Sequence, residues 1–530
     1  MQYRVRERAH MRRPPPDQCQ LLHLPEDLLI RALSKWPAAS LANLCVTCRE
    51  LYALLGPAVD AAVARLGLEL PRQCDRSTDH TPRDVDSLTH RLNFLQRLAA
   101  RQPSRVAAGH ASTLLVTSPV STTTPTTTMP PSAASLRNGT DRDSPTELYY
   151  WGSSGGEQEN IDAVLPTPVP GLPSRITIRE VAAGDAHCLL LSSSDHAVYS
   201  WGADNAHGQL GHGDTAPHRQ PMRIQALAAH RCAQVACGRQ HSLVLTAAGD
   251  VFSFGRGSLG RLGLGATGDV HVPLLVARAA CPHSATPGAP LPPLPPLPPL
   301  PRFVRVSAGL FHSMAVSEGG HLFTWGSGTN GRLGHGDTVM QLRPRFVEAL
   351  AHADIVGASA GYGHSVAWSA AGRLYTWGQG YSGRLGHGNQ ETKPNPALVE
   401  AMERHEVTCA VAGSEFTLAL TRRGALFAFG NGDMTGVRWY GRGWEGGADR
   451  MLIPTRIKTL NDVTVAEVAA GSCHTIVRAL LPHQSDAPPE HFTFGCGAQG
   501  QLGHGNLDEQ LVPKRLDLGG SLSSPQSPQW

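Results

Sequence analysis

Residues 306–337 read VSAGLFHSMAVSEGGHLFTWGSGTNGRLGHGD, and this stretch contains the features that decide the fold. After Gly309 comes a short apolar run, and the pair Gly319-Gly320 marks a tight turn. Apolar and polar residues then alternate as far as Trp325, which is the two-residue period of a β-strand. The stretch therefore predicts short antiparallel strands that are joined by glycine turns.

Seven copies of this pattern, complete or weakened, follow one another along the chain. Their marker glycines are Gly109, Gly184, Gly238, Gly309, Gly361, Gly413 and Gly471. Each copy ends a strand with an aromatic residue before a glycine, at Trp151, Trp201, Phe254, Trp325, Trp377, Phe429 and Phe494. A period of roughly 50 residues is typical of solenoids, propellers and arrays. Short antiparallel strands in seven units predict a mainly β fold, a seven-bladed β-propeller with one sheet per blade.

The composition agrees with a turn-rich β protein and argues against several functional classes. The 530 residues include 56 glycines and 41 prolines, and only 17% are charged. The net charge of +3 comes without a basic stripe in the body of the chain, which argues against direct nucleic-acid binding. The sequence contains no run of about 18 consecutive apolar residues, so no membrane span is predicted. The 11 cysteines are scattered, which favours a reducing compartment, the cytoplasm or the nucleus.

Two sets of recurring histidines are candidate metal ligands or catalytic bases. One set follows the marker glycines, at His187, His241, His312, His364 and His474, and the other lies in the phrase L-G-H-G, at His212, His335, His387 and His504. Members of each set fall on different blades, whereas zinc ligands converge to about 2 Å from one ion. Leu264 and Phe416 each replace a histidine in one unit. A packing position tolerates an apolar replacement, whereas a set of metal ligands does not. We therefore expect structural histidines that tie turns to strands by hydrogen bonds, with no metal, cofactor or catalytic residue.

Glycine runs such as Gly326-x-Gly328-x-x-Gly331 match a dinucleotide-binding fingerprint. That fingerprint requires a helix whose N-terminus holds the pyrophosphate, but here a glycine-rich loop and a proline-led strand follow. Because the run recurs in several units, we expect it to form turns of the repeat.

The order of these features resembles the repeat of the regulator of chromosome condensation family. V-x-A-G-x-x-H is followed by the aromatic-glycine strand end, by L-G-H-G and by a proline-led strand, as at Pro394. The resemblance covers residues 105–518 and implies a seven-bladed propeller. Inserts at about 119–146 and 282–301 are polar or proline-rich and are expected to be disordered, as is the tail at 519–530.

A helical period replaces the strand period in residues 19–67, after a basic tail at 1–18 that is expected to be disordered. The order of prolines and leucines in this helical domain resembles an F-box and is carried by Leu24, Pro25, Leu28, Leu29, Leu33, Pro37, Leu41, Leu44, Val46, Cys48 and Leu51. The resemblance implies that these residues dock onto the adaptor subunit of a cullin–RING ubiquitin ligase. The alternative is a helical cap that packs on the propeller. Residues 68–104 predict a helical linker.

The sixth unit departs from the repeat at a single loop. It lacks L-G-H-G and reads MTGVRWYGRGWEGG instead, with Arg438, Trp439, Tyr440, Arg442 and Trp444 close together. These residue types dominate binding hot spots, so the loop is a candidate site for a protein partner. The alternative is that the aromatic side chains fill the space that the missing turn leaves.

Three functions remain open for this combination of domains. In the first, the chain is the non-enzymatic substrate-recognition subunit of a cullin–RING ligase, and a monomeric propeller captures the protein substrate. In the second, which the family resemblance implies, the chain is a guanine-nucleotide exchange factor or regulator of a small GTPase and contacts chromatin. In the third, the propeller is a scaffold without ligase coupling.

Overall fold

The structure is a computed structural model that describes residues 105–110, 112–117, 146–153, 161–173, 176–276, 300–435, 450–481 and 488–518. All of them lie within the unit Gln102–Trp530. They form seven four-stranded antiparallel sheets with short 3-10 helices and no α-helix, and none of their helices is long and apolar enough to cross a membrane. The predicted seven-bladed propeller is confirmed. The helical modules predicted at 19–67 and 68–104 lie outside the described residues.

Each blade consists of four strands that are consecutive in the sequence. Blade 1 contains β1 (Val106–Ala108), β2 (Ser112–Thr117), β3 (Glu147–Ser153) and β4 (Ile161–Pro168). Blade 2 contains β5 (Ile178–Ala183), β6 (His187–Ser192), β7 (Val198–Gly202) and β8 (His218–Arg223). Blade 3 contains β9 (Cys232–Cys237), β10 (His241–Thr246), β11 (Val251–Gly255) and β12 (Val270–Leu275).

The remaining four blades repeat this order. Blade 4 contains β13 (Phe303–Ala308), β14 (His312–Ser317), β15 (Leu322–Gly326) and β16 (Gln341–Phe346). Blade 5 contains β17 (Ile355–Ala360), β18 (His364–Ser369), β19 (Leu374–Gly378) and β20 (Lys393–Leu398). Blade 6 contains β21 (Val407–Ala412), β22 (Phe416–Thr421), β23 (Leu426–Asn431) and β24 (Arg450–Arg456). Blade 7 contains β25 (Thr464–Ala470), β26 (His474–Leu480), β27 (Glu490–Gly495) and β28 (Gln510–Arg515).

Short 3-10 helices occupy two kinds of connection. Four follow the third strand of a blade, at Ser258–Gly260, Thr329–Gly331, Tyr381–Gly383 and Gly432–Met434. Four others lead from one blade into the next, at Gln225–Leu227, Glu348–Leu350, Glu400–Met402 and Lys458–Leu460. The GxGxxG runs therefore end in three-residue turns, which have no helix N-terminus of the kind that holds a pyrophosphate.

The hydrophobic core lies between neighbouring blades. Leu243 and Val251 of blade 3 pack with Val306 and Trp325 of blade 4. Leu300, where the described residues resume near the end of the second predicted insert, packs against the same cluster. Burying one such side chain contributes roughly 1.5–3 kcal/mol. Five of the seven second strands are buried along their whole length, as in His312–Ser317, and those of blades 1 and 7 are buried along most of it.

The two ends of the propeller are built from different connections. In an antiparallel sheet the first and third loops of each blade lie at the same edge. We call this end the upper face, and it carries the residues that follow the marker glycines: His110, Asp185, Arg239, Leu310, Tyr362, Ser414 and Ser472. The other end, the lower face, carries the hairpins between second and third strands and the connections between blades.

Seven interblade backbone hydrogen bonds surround the axis on the upper face. The residue after each marker glycine donates its N–H to the next blade, for example Leu310 N to Gly361 O at 3.3 Å and Tyr362 N to Gly413 O at 3.3 Å. A Cβ on Gly309 would lie 2.6 Å from the oxygen of Gly361. The marker positions are therefore glycine because neighbouring backbones approach too closely for a side chain.

The ring closes between blade 7 and blade 1 without exchange of a strand, since all four strands of blade 7 are consecutive. Ser472 N donates to Gly109 O at 3.3 Å, and Arg105 N donates to Glu467 Oε1 at 2.7 Å. Trp151 packs with Ile476 across the same interface. The closing contacts are thus of the same kind as those between other blades.

The substitution Gly309→Ala tests the close approach at the axis. We expect the free energy of unfolding to fall by about 1–3 kcal/mol, because the new Cβ meets a backbone oxygen that the ring holds in place. Urea unfolding of the full chain measures the change. Gly268→Ala is the matched control, since a Cβ at Gly268 has no neighbour within 4 Å. Equal stability of the two variants would contradict the steric argument.

Candidate functional site

The histidine of L-G-H-G fastens its loop to the third strand of its own blade. Thr324 Oγ1 donates to Leu333 O at 2.7 Å and lies 3.0 Å from His335 Nε2. Because the hydroxyl uses its only proton on the carbonyl, it accepts from the ring, so Nε2 carries the hydrogen. Burial lowers the pKa of His335 to about 4. The same bond joins Ser200 to His212, Thr376 to His387 and Thr493 to His504, at 2.8–2.9 Å.

The histidine that begins the second strand connects one blade to the next. His312 Nε2 lies 2.7 Å from Ser365 Oγ, which donates to Arg332 O at 2.7 Å. Trp377 Nε1 donates to the same Arg332 oxygen at 2.9 Å. The equivalent pairs are His187–Ser242, His241–Ser313, His364–Thr417 and His474–Thr113, at 2.8–3.0 Å. These histidines tie blade to blade, and not only turn to strand as the sequence suggested.

Burial keeps these interblade histidines neutral. It lowers the pKa of His187 to about 4 and that of His312 and His474 to about 3. The Nδ1 atom of each ring is buried and has no hydrogen-bond partner among the residues that the structure describes, which agrees with an unprotonated nitrogen. Each ring serves a different interface, and the described residues contain no group of three potential ligands that could hold a metal.

Two interfaces lack the histidine, and their partner residues differ accordingly. Blade 6 has Phe416 at this position, and the hydroxyl of Thr475 across the interface is buried with no partner among the described residues. Blade 1 has Ser112 in place of the histidine. In the next blade, Cys188 occupies the position at which the other histidines meet a serine or threonine. In blade 3, Leu264 replaces the loop histidine and packs against the core, while Ser253 Oγ still donates to Leu262 O at 2.8 Å.

An arginine–aromatic cluster lies on the upper face of blades 3 to 5, and the sequence reasoning missed it. It consists of Arg261, Arg332, Arg384, Phe311, Tyr362 and Tyr381. The Cζ atoms of Arg261 and Arg332 lie 5.3 and 5.5 Å from the centroid of the Phe311 ring. Tyr362 meets the same ring edge-on at 5.8 Å, and its side chain is 45% exposed. The recurring G-R-L-G phrase was the available signal, but Arg261 takes its aromatic partner, Phe311, from the following blade.

Each arginine of the cluster bridges two blades. Arg332 Nε donates to Thr329 O of its own loop at 2.8 Å, and Nη1 donates to Tyr362 O of blade 5 at 3.1 Å. Arg261 does the same with Ser258 O and Leu310 O. These bonds fix the guanidinium groups of Arg261 and Arg332 beside the ring of Phe311.

The cluster concentrates positive charge. Burial lowers the pKa of Arg261 and of Arg332 to about 10, so both stay charged at neutral pH. Neither forms an ion pair with any residue that the structure describes, whereas Arg384 lies 3.7 Å from Glu415. Arg239, which is partly exposed beside Arg261, pairs with Asp185 at 3.1 Å. The surface is suited to bind an anionic group together with an apolar or aromatic one.

The candidate sites from the sequence fall mostly outside the described residues. The blade 6 loop with Arg438, Trp439, Tyr440, Arg442 and Trp444 lies between Thr435 and Arg450 in the sequence and is outside the described residues. The F-box-like residues between Leu24 and Leu51 precede the described propeller. Both stay predictions.

The repeat geometry identifies the family when it is compared with known proteins. The sequence model of the RCC1-like domain matches residues 61–477, and that of the regulator of chromosome condensation (RCC1) repeat matches residues 490–524. This chain belongs to the RCC1-like domain family. The family covers all seven blades found here and extends beyond them toward the N-terminus.

Individual relatives share the propeller with this RCC1-like protein. The chain is 34% identical over 329 residues to E3 ubiquitin-protein ligase HERC2 of Homo sapiens, a match that covers 62% of this chain and 6% of HERC2. It is 35% identical over 290 residues to the ultraviolet-B receptor UVR8 of Arabidopsis thaliana, covering 54% of this chain and 61% of UVR8. The crystal structure of Prp20p from Saccharomyces cerevisiae has a TM-score of 0.56 at 22% identity, covering 69% of this chain and 85% of Prp20p, and shows the same fold. This RCC1-like chain therefore spans only part of the length of HERC2 and UVR8.

The neutral buried histidines predict a loss of stability in mild acid. The pKa of His312 is lowered in the folded state, so the unfolded chain binds more protons between about pH 6.5 and pH 3 and stability falls as the pH falls through this range. From pH 7 to pH 5.5, this one residue contributes a loss of about 1 kcal/mol.

The variant His312→Phe, which copies Phe416 of blade 6, should lose about 1 kcal/mol less than the wild type between pH 7 and pH 5.5. Urea unfolding at the two pH values measures the difference. His271→Gln, at an exposed histidine, is the control. An unchanged pH dependence in His312→Phe would show that His312 is not held neutral by burial.

Proposed function

We propose that this RCC1-like chain is a non-enzymatic protein-recognition propeller that binds an acidic partner protein with the arginine–aromatic cluster of its upper face. One observation carries the proposal: the charges of Arg261 and Arg332 have no carboxylate partner among the described residues, and both guanidinium groups lie within 5.5 Å of the Phe311 ring, which contacts the exposed ring of Tyr362. A buried cation that the protein does not neutralise attracts an anionic group of a partner.

The chemistry of the cluster supports protein recognition. Tyr and Arg are the residue types that contribute most to binding hot spots. Tyr381 is 48% exposed and lies 5.9 Å from the Cζ atom of Arg384, so it extends the aromatic surface into blade 5. Interblade hydrogen bonds fix the arginines before a partner arrives, which lowers the entropy lost on binding.

The preferred partner class is a small GTPase, so that the chain acts as its regulator or as a guanine-nucleotide exchange factor. Family membership supports this choice, because nucleotide exchange is the activity that the family resemblance implies. Prp20p, which shares the fold, is described with binding properties to Gsp1p and histones. An acidic surface on the GTPase or on a chromatin protein would complement the charge of the cluster.

A charge reversal on the upper face tests the binding surface. We expect Arg239→Glu combined with Tyr362→Ala to weaken binding of a GTPase about tenfold or more, because it removes an exposed ring and reverses a charge beside Arg261. A panel of purified small GTPases loaded with fluorescent GDP gives both affinity and the rate of nucleotide release.

Arg422→Glu on the lower face is the matched control for that experiment. Arg422 is an exposed arginine that pairs with Glu406 at 3.1 Å, as Arg239 pairs with Asp185 at 3.1 Å. Binding that responds equally to both variants would reject the upper face as the site. No binding and no release with any GTPase would reject the GTPase as partner class.

The second candidate function is substrate recognition for a ubiquitin ligase. The F-box-like pattern in residues 19–67 favours it, and so does the similarity of the propeller to part of HERC2, itself named a ubiquitin-protein ligase. In this function the helical module would bind the adaptor of a cullin–RING ligase, and the upper face would bind the substrate.

The double variant Leu28→Asp, Leu29→Asp tests the ligase candidate. We expect the wild type to retain the purified adaptor–cullin complex and the variant to lose it, because two carboxylates cannot enter an apolar interface without large desolvation cost. The upper-face variant Tyr362→Ala is the control and should bind the adaptor like the wild type. Failure of the wild type to bind the adaptor would reject this function.

A further inference from the structure

Two cysteines of blade 7 face each other across neighbouring strands on the upper face. The ladder between β26 and β27 pairs His474 with Gly495, and Cys473 and Cys496 form the next pair beyond it. Cys496 N donates to Cys473 O at 2.8 Å, so the two backbones remain paired at this point. Residues that share such a bond have Cα atoms about 5.5 Å apart, within the range of about 4.4–6.8 Å that a disulfide spans.

The same position in other blades shows that its side chains touch. In blade 3 the equivalent pair is Gln240 and Arg256, whose side chains hydrogen bond at 2.7 Å. In blade 6 it is Glu415 and Asn431, whose side chains hydrogen bond at 3.1 Å. Both pairs carry the same backbone bond as blade 7. The fold therefore holds the two side chains of this position on one side of the sheet and in contact, and in blade 7 both are thiols.

The two thiols differ from the other cysteines of the described propeller. Cys188 is buried, and burial raises its pKa to about 12, which makes it unreactive. Cys473 and Cys496 are partly exposed. The Cys473 thiol, which hydrogen bonds to Cys496, holds the pKa of Cys496 below its ordinary value and has its own pKa raised. One member thus supplies a thiolate and the other a neutral thiol beside it.

We propose that Cys473 and Cys496 are a redox modification site that forms a reversible disulfide with an oxidant of the peroxide class. The Cys496 thiolate attacks one oxygen of the peroxide, and the O–O bond breaks to give a sulfenic acid and hydroxide. The Cys473 thiol then attacks the sulfenic sulfur, forms the S–S bond and gives its proton to the departing hydroxyl group, which leaves as water. The hydroxide from the first step takes up the proton that Cys496 released when it ionised. Two thiols and one peroxide give one disulfide and two waters, and a thiol reductant reverses the change.

The position of the pair couples it to the closing interface of the ring. Gln501 Nε2 donates to Cys473 Sγ at 3.7 Å. The carbonyl of Gln501 accepts from Thr113 Oγ1 and from Trp151 Nε1 of blade 1. Cys473 also follows Ser472, which bonds to Gly109 of blade 1. Oxidation removes the hydrogen-bonded thiol pair next to Gln501, so the modification acts where blade 7 meets blade 1.

Disulfide mapping of the full chain tests the proposal. The protein is treated with hydrogen peroxide at pH 7, its remaining thiols are blocked with N-ethylmaleimide, and its peptides are analysed by mass spectrometry with and without dithiothreitol. We expect a Cys473–Cys496 peptide pair that dithiothreitol removes. Cys496 should oxidise about tenfold or more faster than Cys409, which is also partly exposed but has no thiol opposite it.

Single variants separate the two roles. In Cys473→Ser the sulfenic acid at Cys496 should accumulate and react with dimedone, whereas Cys496→Ser should show neither disulfide nor dimedone adduct at this position. Cys409→Ser is the control and should form the disulfide like the wild type. A wild-type chain in which Cys496 pairs elsewhere, or oxidises no faster than Cys409, would overturn the proposal. Thermal unfolding of each variant confirms that it is folded, and the result does not depend on the identity of the propeller's partner.

Discussion

The close approach of neighbouring backbones around the axis is the constraint on which the rest of this propeller depends. Each blade donates an N–H to the next at the point where a marker glycine ends the first strand, and the seventh blade donates to the first. A Cβ at Gly309, or at Gly471 opposite Gly109, would enter the space of a carbonyl oxygen. Because neighbouring backbones approach so closely there, each blade carries one glycine at this point, and the seven glycines match the seven blades.

A second set of hydrogen bonds, made by side chains, also connects neighbouring blades and makes the ring rigid. The oxygen of Arg332 accepts both from Ser365 and from Trp377, and the hydroxyl of Ser365 accepts in turn from His312. Every member of the network is buried, so each loses its water and depends on the others for hydrogen bonds. The histidine is neutral because it is buried, and its ring joins two neighbouring blades.

Equivalent positions of the blades have the same backbone geometry but carry different side chains, and we attribute function to these differences. One cross-strand position holds Gln240 with Arg256 in blade 3 and two thiols in blade 7. The arginine that ties blade 4 to blade 5 also lies 5.5 Å from the ring of Phe311, which packs edge-on against the exposed Tyr362, so a structural charge lies close to the surface. Loops on rigid strands commonly bear binding sites for this reason, since the scaffold tolerates changes at their tips.

The sequence by itself determined the number of blades, the aromatic-glycine ends of the third strands and the positions of the recurring glycines and histidines. These features depend on local periodicity and on backbone conformations that only glycine adopts readily. Sequence could not show that His312 bonds to Ser365 of the next blade, and not to its own neighbour Ser313. Nor could the sequence show that Phe311 lies next to both Arg261 and Arg332, or that Cys473 lies opposite Cys496. Only the tertiary structure decided these contacts, because each joins residues from different strands or blades whose distance in space is unrelated to their separation along the chain.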